Sequence, residues 1–120
     1  MERYLRTWAS RDKLRASIVG EMMAFPIMLA PVAAIPAFAH GHRGPFDVEG
    51  ELVDYLKVFS YAQAYNMLGL PVTVVRCGTS PEDLPIGVQV IGRPWDEELT
   101  LKAAAAIEAA MGDYQPPMLP

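Results

Sequence analysis

Tyr61 to Asp96 reads YAQAYNMLGLPVTVVRCGTSPEDLPIGVQVIGRPWD, and this stretch decides the fold. Two β-branched runs, Val72 to Val75 and Ile86 to Ile91, are separated by Gly78, Ser80, Pro81, Asp83 and Pro85. Such a density of turn formers between strand formers predicts an antiparallel pair over about 72–77 and 86–92. An apolar helical pattern precedes it and is stopped by Gly69 and Pro71, while Pro94-Trp-Asp96 opens another helix. Val72 and Val74 point to one face of their strand, Thr73 and Val75 to the other, and neither face is polar. A sheet of that kind needs cover on both sides, so the expected class is α/β, a mixed sheet covered by helices.

Working outward, 120 residues with 52% hydrophobic content fit one domain with a core. Eleven prolines and nine glycines impose many short elements. Cys77 is the single cysteine, which excludes an internal disulfide and leads us to expect a reducing, cytoplasmic setting and a buried thiol. A net charge of −4 argues against nucleic acid as a partner, although residues 1–24 carry five basic against three acidic side chains. With no continuous apolar core or cleavage site after it, that basic start reads as a solvated helix face and not a targeting signal.

Leu14, Ile18, Met22 and Phe25 recur at spacings of three and four, predicting a helix over Glu2 to Ala24, with a break near Ser10 where the serine could cap a second segment. Met22 to Ala39 carries no charge, but Pro26, Pro31 and Pro36 would each remove a hydrogen bond that lipid cannot replace, so no membrane span is expected. Residues 27–30 read instead as a short buried strand, and Pro31 to Pro45 as an irregular connection. Val48 to Leu68 reads as one helix with Glu49 and Glu51 at its start, apolar over enough of its circumference to be buried on more than one side. The last of the three main helices runs from about Glu97 to Met111, with Asp96 as N-cap and Gly112 as its stop; residues 113–120 read as a frayed tail.

Chemistry is scarce. His40-Gly-His42 lacks the third protein ligand that zinc requires, so no metal and no cofactor are expected. Ser10-Arg-Asp-Lys13 matches S-x-x-K, in which a lysine one turn on activates serine, but the companion S-D-N and K-T-G patterns are missing.

Asn66-Met-Leu-Gly-Leu-Pro-Val72, then Leu84-Pro-Ile-Gly-Val-Gln-Val-Ile-Gly92, then a helix from Asp96 resemble the C-terminal portion of the amidase signature family. Arg11-Asp-Lys-Leu14 through Pro26-Ile-Met-Leu-Ala-Pro31 is similar to the family's helix and strand-Pro element, so the likeness covers nearly the whole chain. Arg76 departs from it, standing where the family often has proline.

The resemblance implies a fold of mixed sheet covered by helices, and amide hydrolysis by a serine nucleophile, a second serine in a cis peptide and a lysine base. None of those groups carries over: the lysines are Lys13, Lys57 and Lys102, the serines Ser10, Ser17, Ser60 and Ser80, and no Gly/Ser-rich loop is present. The expectation is therefore scaffold without catalytic residues, inactive alone, whose partner is an N-terminal amidase region or, alternatively, a second copy in a non-catalytic, self-associating form.

Asn66, Gly69, Pro71, Gly87, Gln89 and Gly92 are expected to serve structure, with Asn66 bonding the turn after it and Gln89 tying adjacent strands. In glutamine-using relatives an acidic residue seven positions before that asparagine holds the substrate's amino group; the position is Phe59 here. Phe59, Ala62 and Asn66 are the expected substrate-pocket residues, and an apolar or aromatic amide the expected substrate of a complete enzyme.

Overall fold

The computed structural model describes residues 1–112; the tail expected over 113–120 lies outside them. The elements are α1 (Glu2–Glu21), β1 (Ile27–Pro31), β2 (Phe46–Val48), β3 (Glu51–Val53), α2 (Tyr55–Val58), α3 (Ser60–Leu68), β4 (Val72–Thr79), β5 (Pro85–Gly92) and α4 (Glu97–Met111). β4 and β5 pair antiparallel, and β1 pairs antiparallel on the far side of β5, giving the order β1-β5-β4. A bulge between Arg76 and Gly78 shifts the β4 register.

Because directly opposed residues share a face, the register sorts the sheet. Met28, Ala30, Gln89, Ile91, Val72 and Val74 stand on one face, and Leu29, Val88, Val90, Thr73 and Val75 on the other. The first face carries the core: Ala30 and Ile91 pack with Met22, Leu68 and Leu70, flanked by Ile18 and Val19 of α1 and Tyr65 of α3. On the second face α4 packs over β4, where the Thr73 and Thr100 hydroxyls meet at 2.9 Å. Each layer covers only part of its face. Val74 stays 57% exposed beside the α1/α3 layer and Leu29 60% exposed beside α4. The expectation of two covered faces is thus met by half on each side.

The chain is correspondingly open. Its Cα radius of gyration is 17.0 Å, where a compact chain of this length has about 14 Å. It exposes 9144 Å², against about 6,400 Å² for a compact monomer of this mass.

Two expectations fail locally. α1 runs through Ser10 unbroken, because the Ser10 hydroxyl donates to Arg6 O one turn back, a bond the helix interior offers and an N-cap does not. The single helix over Val48 to Leu68 is instead a hairpin followed by two helices. Glu49 and Gly50 take φ of 53° and 87°, and Asp47 Oδ1 accepts the Gly50 N–H at 2.8 Å, so Asp-Val-Glu-Gly turns the chain back and Phe46 faces Val53. Glu49 and Glu51 therefore lie in the turn and strand, not at a helix start. The helical part is also less buried than expected: Val58 and Leu68 are buried, Leu56 is 72% exposed.

α3 ends as its sequence requires. Gly69 is left-handed at φ 63°, its N–H donating to Asn66 O and the Leu70 N–H to Tyr65 O, the paired bonds of a Schellman stop. Asn66 joins that turn through its backbone carbonyl. Asp96 stands at the start of α4, but its carboxylate accepts Arg93 Nε at 2.6 Å and makes no cap. Gln89, 3% exposed, donates from Nε2 to Pro31 O at 2.6 Å.

Candidate functional site

The connection from Val32 to Pro45 is irregular because proline at 36 and glycines at 41 and 44 deny it a ladder, yet it is held in place. Ala34 N–H donates to Val58 O at 2.9 Å, tying the loop to the end of α2, and Phe46 is buried where the loop enters the hairpin. The outcome is a cluster of rings. Phe38 lies 4.7 Å from Phe46 between centroids, 6.3 Å from Tyr55 and 6.4 Å from Phe59; Tyr55 and Phe59 meet edge-on at 5.1 Å; His42 stands edge-on to Phe46 at 4.8 Å. These separations suit the edge-to-face and tilted pairing that aromatic quadrupoles favour.

Three concavities open around Phe38. One, of about 770 Å³, is lined by Phe38, His40, His42, Arg43 and Tyr55. An adjoining one of about 390 Å³ shares Phe38 and His42 and adds Phe46, Asp47 and Glu82. The third, of about 200 Å³, has Phe38 and Phe59 together with Ile86 and Gly87 of β5. In the loop that brings Glu82 there, the Ser80 hydroxyl donates to Glu82 Oε2 at 2.7 Å, and this bond holds the carboxyl below the usual carboxylate range.

Of the expected pocket residues, the structure places Phe59 in the ring cluster. Ala62 follows one turn along α3, its N–H donating to Phe59 O. Asn66 is exposed at the far end of that helix and lines none of these concavities. Sequence reasoning missed Phe38, Phe46, Tyr55 and Arg43; the available signal was the run of aromatic residues among turn formers. Gly87 and Gly92 are both sites of close approach: a Cβ on Gly87 would stand 3.1 Å from Val74 Cγ1, and one on Gly92 2.5 Å from Thr100 Cγ2.

Among the described residues no group of three His, Cys, Asp or Glu side chains stands together to hold a metal ion, and no helix is long and apolar enough to cross a membrane. Nor does any serine hydroxyl there bond a lysine: Ser80 bonds Glu82, and Lys102 pairs with Glu98 at 2.7 Å.

The profile of the amidase family matches residues 1–101. The chain belongs to the amidase family. Among curated relatives of this chain, a glutamyl-tRNA(Gln) amidotransferase subunit from Methylocella silvestris is 42% identical over 114 residues, covering 94% of the chain and 21% of the relative. The corresponding subunit from Myxococcus xanthus is 35% identical over 105 residues, covering 88% and 21%.

Among solved structures, the crystal structure of an amidase superposes with a TM-score of 0.81 at 24% identity, over 93% of this chain and 26% of that one. A second match, at 0.79 and 28% identity over 89% and 24%, comes from a vestigial protein complex that reveals the evolutionary origins of an s-triazine catabolic enzyme. The chain thus spans about a fifth of the length of the curated relatives it matches and corresponds to their C-terminal portion.

Proposed function

We propose that this chain is the C-terminal structural portion of an amidase, which hydrolyses a carboxylic amide, adding water across the C–N bond to release carboxylate and ammonia, only together with an N-terminal amidase region that brings the serine, serine and lysine groups. The observation that carries the reading is the half-covered sheet. Val72 and Val74 lie open on one face and Leu29 on the other, although Val90 and Ile91 between them are fully buried. The excess of roughly 2,700 Å² over a compact monomer is about what one partner contributes to a large obligate interface. Sequence adds that no Gly/Ser-rich serine loop is present.

The curated relatives are amidotransferases of glutamyl-tRNA(Gln) by name, but the concavity that Phe59 lines has only apolar side chains and no carboxylate to hold an ammonium group. The proposed substrate is accordingly an apolar or aromatic amide.

Ammonia release from glutamine and from benzamide tests both parts, with the chain alone and with the chain co-expressed with the N-terminal four-fifths of one of these amidotransferase relatives. The expected result is no turnover alone and turnover of benzamide once assembled. Turnover by the chain alone that disappears in Ser10→Ala or Lys13→Ala overturns the scaffold reading, and a preference for glutamine overturns the substrate class. The same open faces also suit a second copy of the chain, in a non-catalytic self-associating protein. Sedimentation at micromolar concentration separates the two, since that alternative requires dimers or larger species without any partner.

A further inference from the structure

The bowl lined by Phe38, Tyr55, His40, His42 and Arg43 has a chemistry of its own. Its apolar lining is Ala37, Ala39 and two rings with substantial exposed area, Phe38 at 38% and Tyr55 at 43%. Its polar side chains are hydrogen-bond donors without a carboxylate among them. Arg43 forms no ion pair, and the side chains of Arg43, His40 and His42 make no hydrogen bond within the described residues. The acidic residues Asp47 and Glu82 line the adjoining concavity instead.

Rings that are already packed against one another lose little freedom when a further ring joins them. A guanidinium without an internal partner presents its fork to a planar anion. Flat apolar walls beside the solvent-facing donors of His40, His42 and Arg43 suit a flat ligand that bears one negative group.

We infer that this bowl binds a small aromatic carboxylate, its ring against Phe38 and Tyr55 and its carboxylate toward Arg43 and the imidazoles. The idea rests on the amidase reading for its biological sense, because an aryl carboxylate is the product that hydrolysis of an aryl amide leaves behind. The binding itself does not depend on that reading and is measurable on the chain alone.

Benzoate, benzamide and acetate are titrated into the purified 120-residue chain at low ionic strength and followed by NMR. Benzoate binds more tightly than benzamide by about fivefold, the scale of one partly exposed ion pair, and more tightly than acetate. Its ring protons give Overhauser contacts to Phe38 and Tyr55. Arg43→Gln erases the benzoate preference while benzamide affinity stays, and Phe38→Leu weakens both aromatic ligands. Equal affinity for benzoate and benzamide, equal affinity for benzoate and acetate, or contacts confined to other residues overturn the inference. So does loss of benzoate binding when the N-terminal region is added, which would make the bowl a protein contact. Because the wild-type contacts locate the ligand, a variant that fails to fold does not protect the proposal. Failure here with turnover of the assembled enzyme removes the bowl and leaves the amidase reading standing.

Discussion

Arg15 Nε donates to the carbonyl oxygen of Leu68 at 2.9 Å, joining α1 to the end of α3 across 53 positions of sequence. Arg11 Nε does the same to Met67 O at 2.8 Å while its guanidinium lies 4.6 Å over the Trp8 ring. With Tyr65 and Asn66 answered by the backbone of Leu70 and Gly69, all four terminal carbonyls of α3 have partners. The two arginines also put positive charge at the negative end of the helix dipole. Arg15→Ala is expected to lower unfolding stability by about 1–2 kcal/mol, the cost of stranding a partly buried carbonyl. Arg11→Ala, nearer the surface, costs about 1 kcal/mol through its carbonyl bond and the Trp8 contact. Urea midpoints read both, and an unshifted midpoint for Arg15→Ala refutes the capping role.

Gly92 lies where β5 meets α4. A Cβ there would stand 2.5 Å from Thr100 Cγ2, and Thr100 is 1% exposed with its hydroxyl held by Thr73 and Glu97 O, so it has nowhere to move. Gly92→Ala is expected to destabilise by about 1–3 kcal/mol, as overpacking does. Thr100→Ser removes the offending methyl and keeps the hydroxyl, so the double variant recovers part of the loss. Additive costs in thermal unfolding of the single and double variants would show that the clash is not the cause.

Glu49 holds φ 53° in the β2–β3 turn, a region costly for a residue with a long side chain. Glu49→Asn is expected to stabilise by roughly 0.5 kcal/mol and Gly50→Ala to destabilise by about 1 kcal/mol. Amide exchange of the Phe46 to Val53 ladder reports each, and faster exchange in Glu49→Asn contradicts the turn assignment.

The Ser80 hydroxyl donates to Glu82 Oε2 and accepts the Glu82 and Leu84 N–H groups at 3.3 Å, knitting the β4–β5 turn. Since the Glu82 pKa is lowered on folding, chiefly by that hydroxyl, its contribution is present above the unfolded value near 4.5 and fades as pH falls through the lower folded value. Ser80→Ala is expected to raise the Glu82 pKa toward 4.5 and to loosen the turn at all pH values. A carboxyl-carbon NMR titration decides it, and an unmoved midpoint rules the hydroxyl out as cause.

The strand pair, β1, both outer helices and the Gly69 stop were legible because each rests on local signals, periodicity and turn chemistry among residues close in sequence. The region from Phe46 to Leu68 was misread for the same reason. Leu52, Leu56 and Phe59 satisfy a helical period, and nothing adjacent reveals that Asp47 would accept the Gly50 N–H and reverse the chain. Within the site, Phe59 was reachable by register with related sequences; Phe38, 21 residues earlier, was not.

From the order of residues alone came the class of the fold, the strand pairing and the kinship with amidases, since backbone preference and motif spacing are properties of short segments. Only the folded chain decided that Arg11 and Arg15 close α3, that four rings gather around Phe38, and that each sheet face is covered by half. Those facts depend on contacts between segments far apart in sequence, and the free energy that selects them is the burial of surfaces no single segment contains.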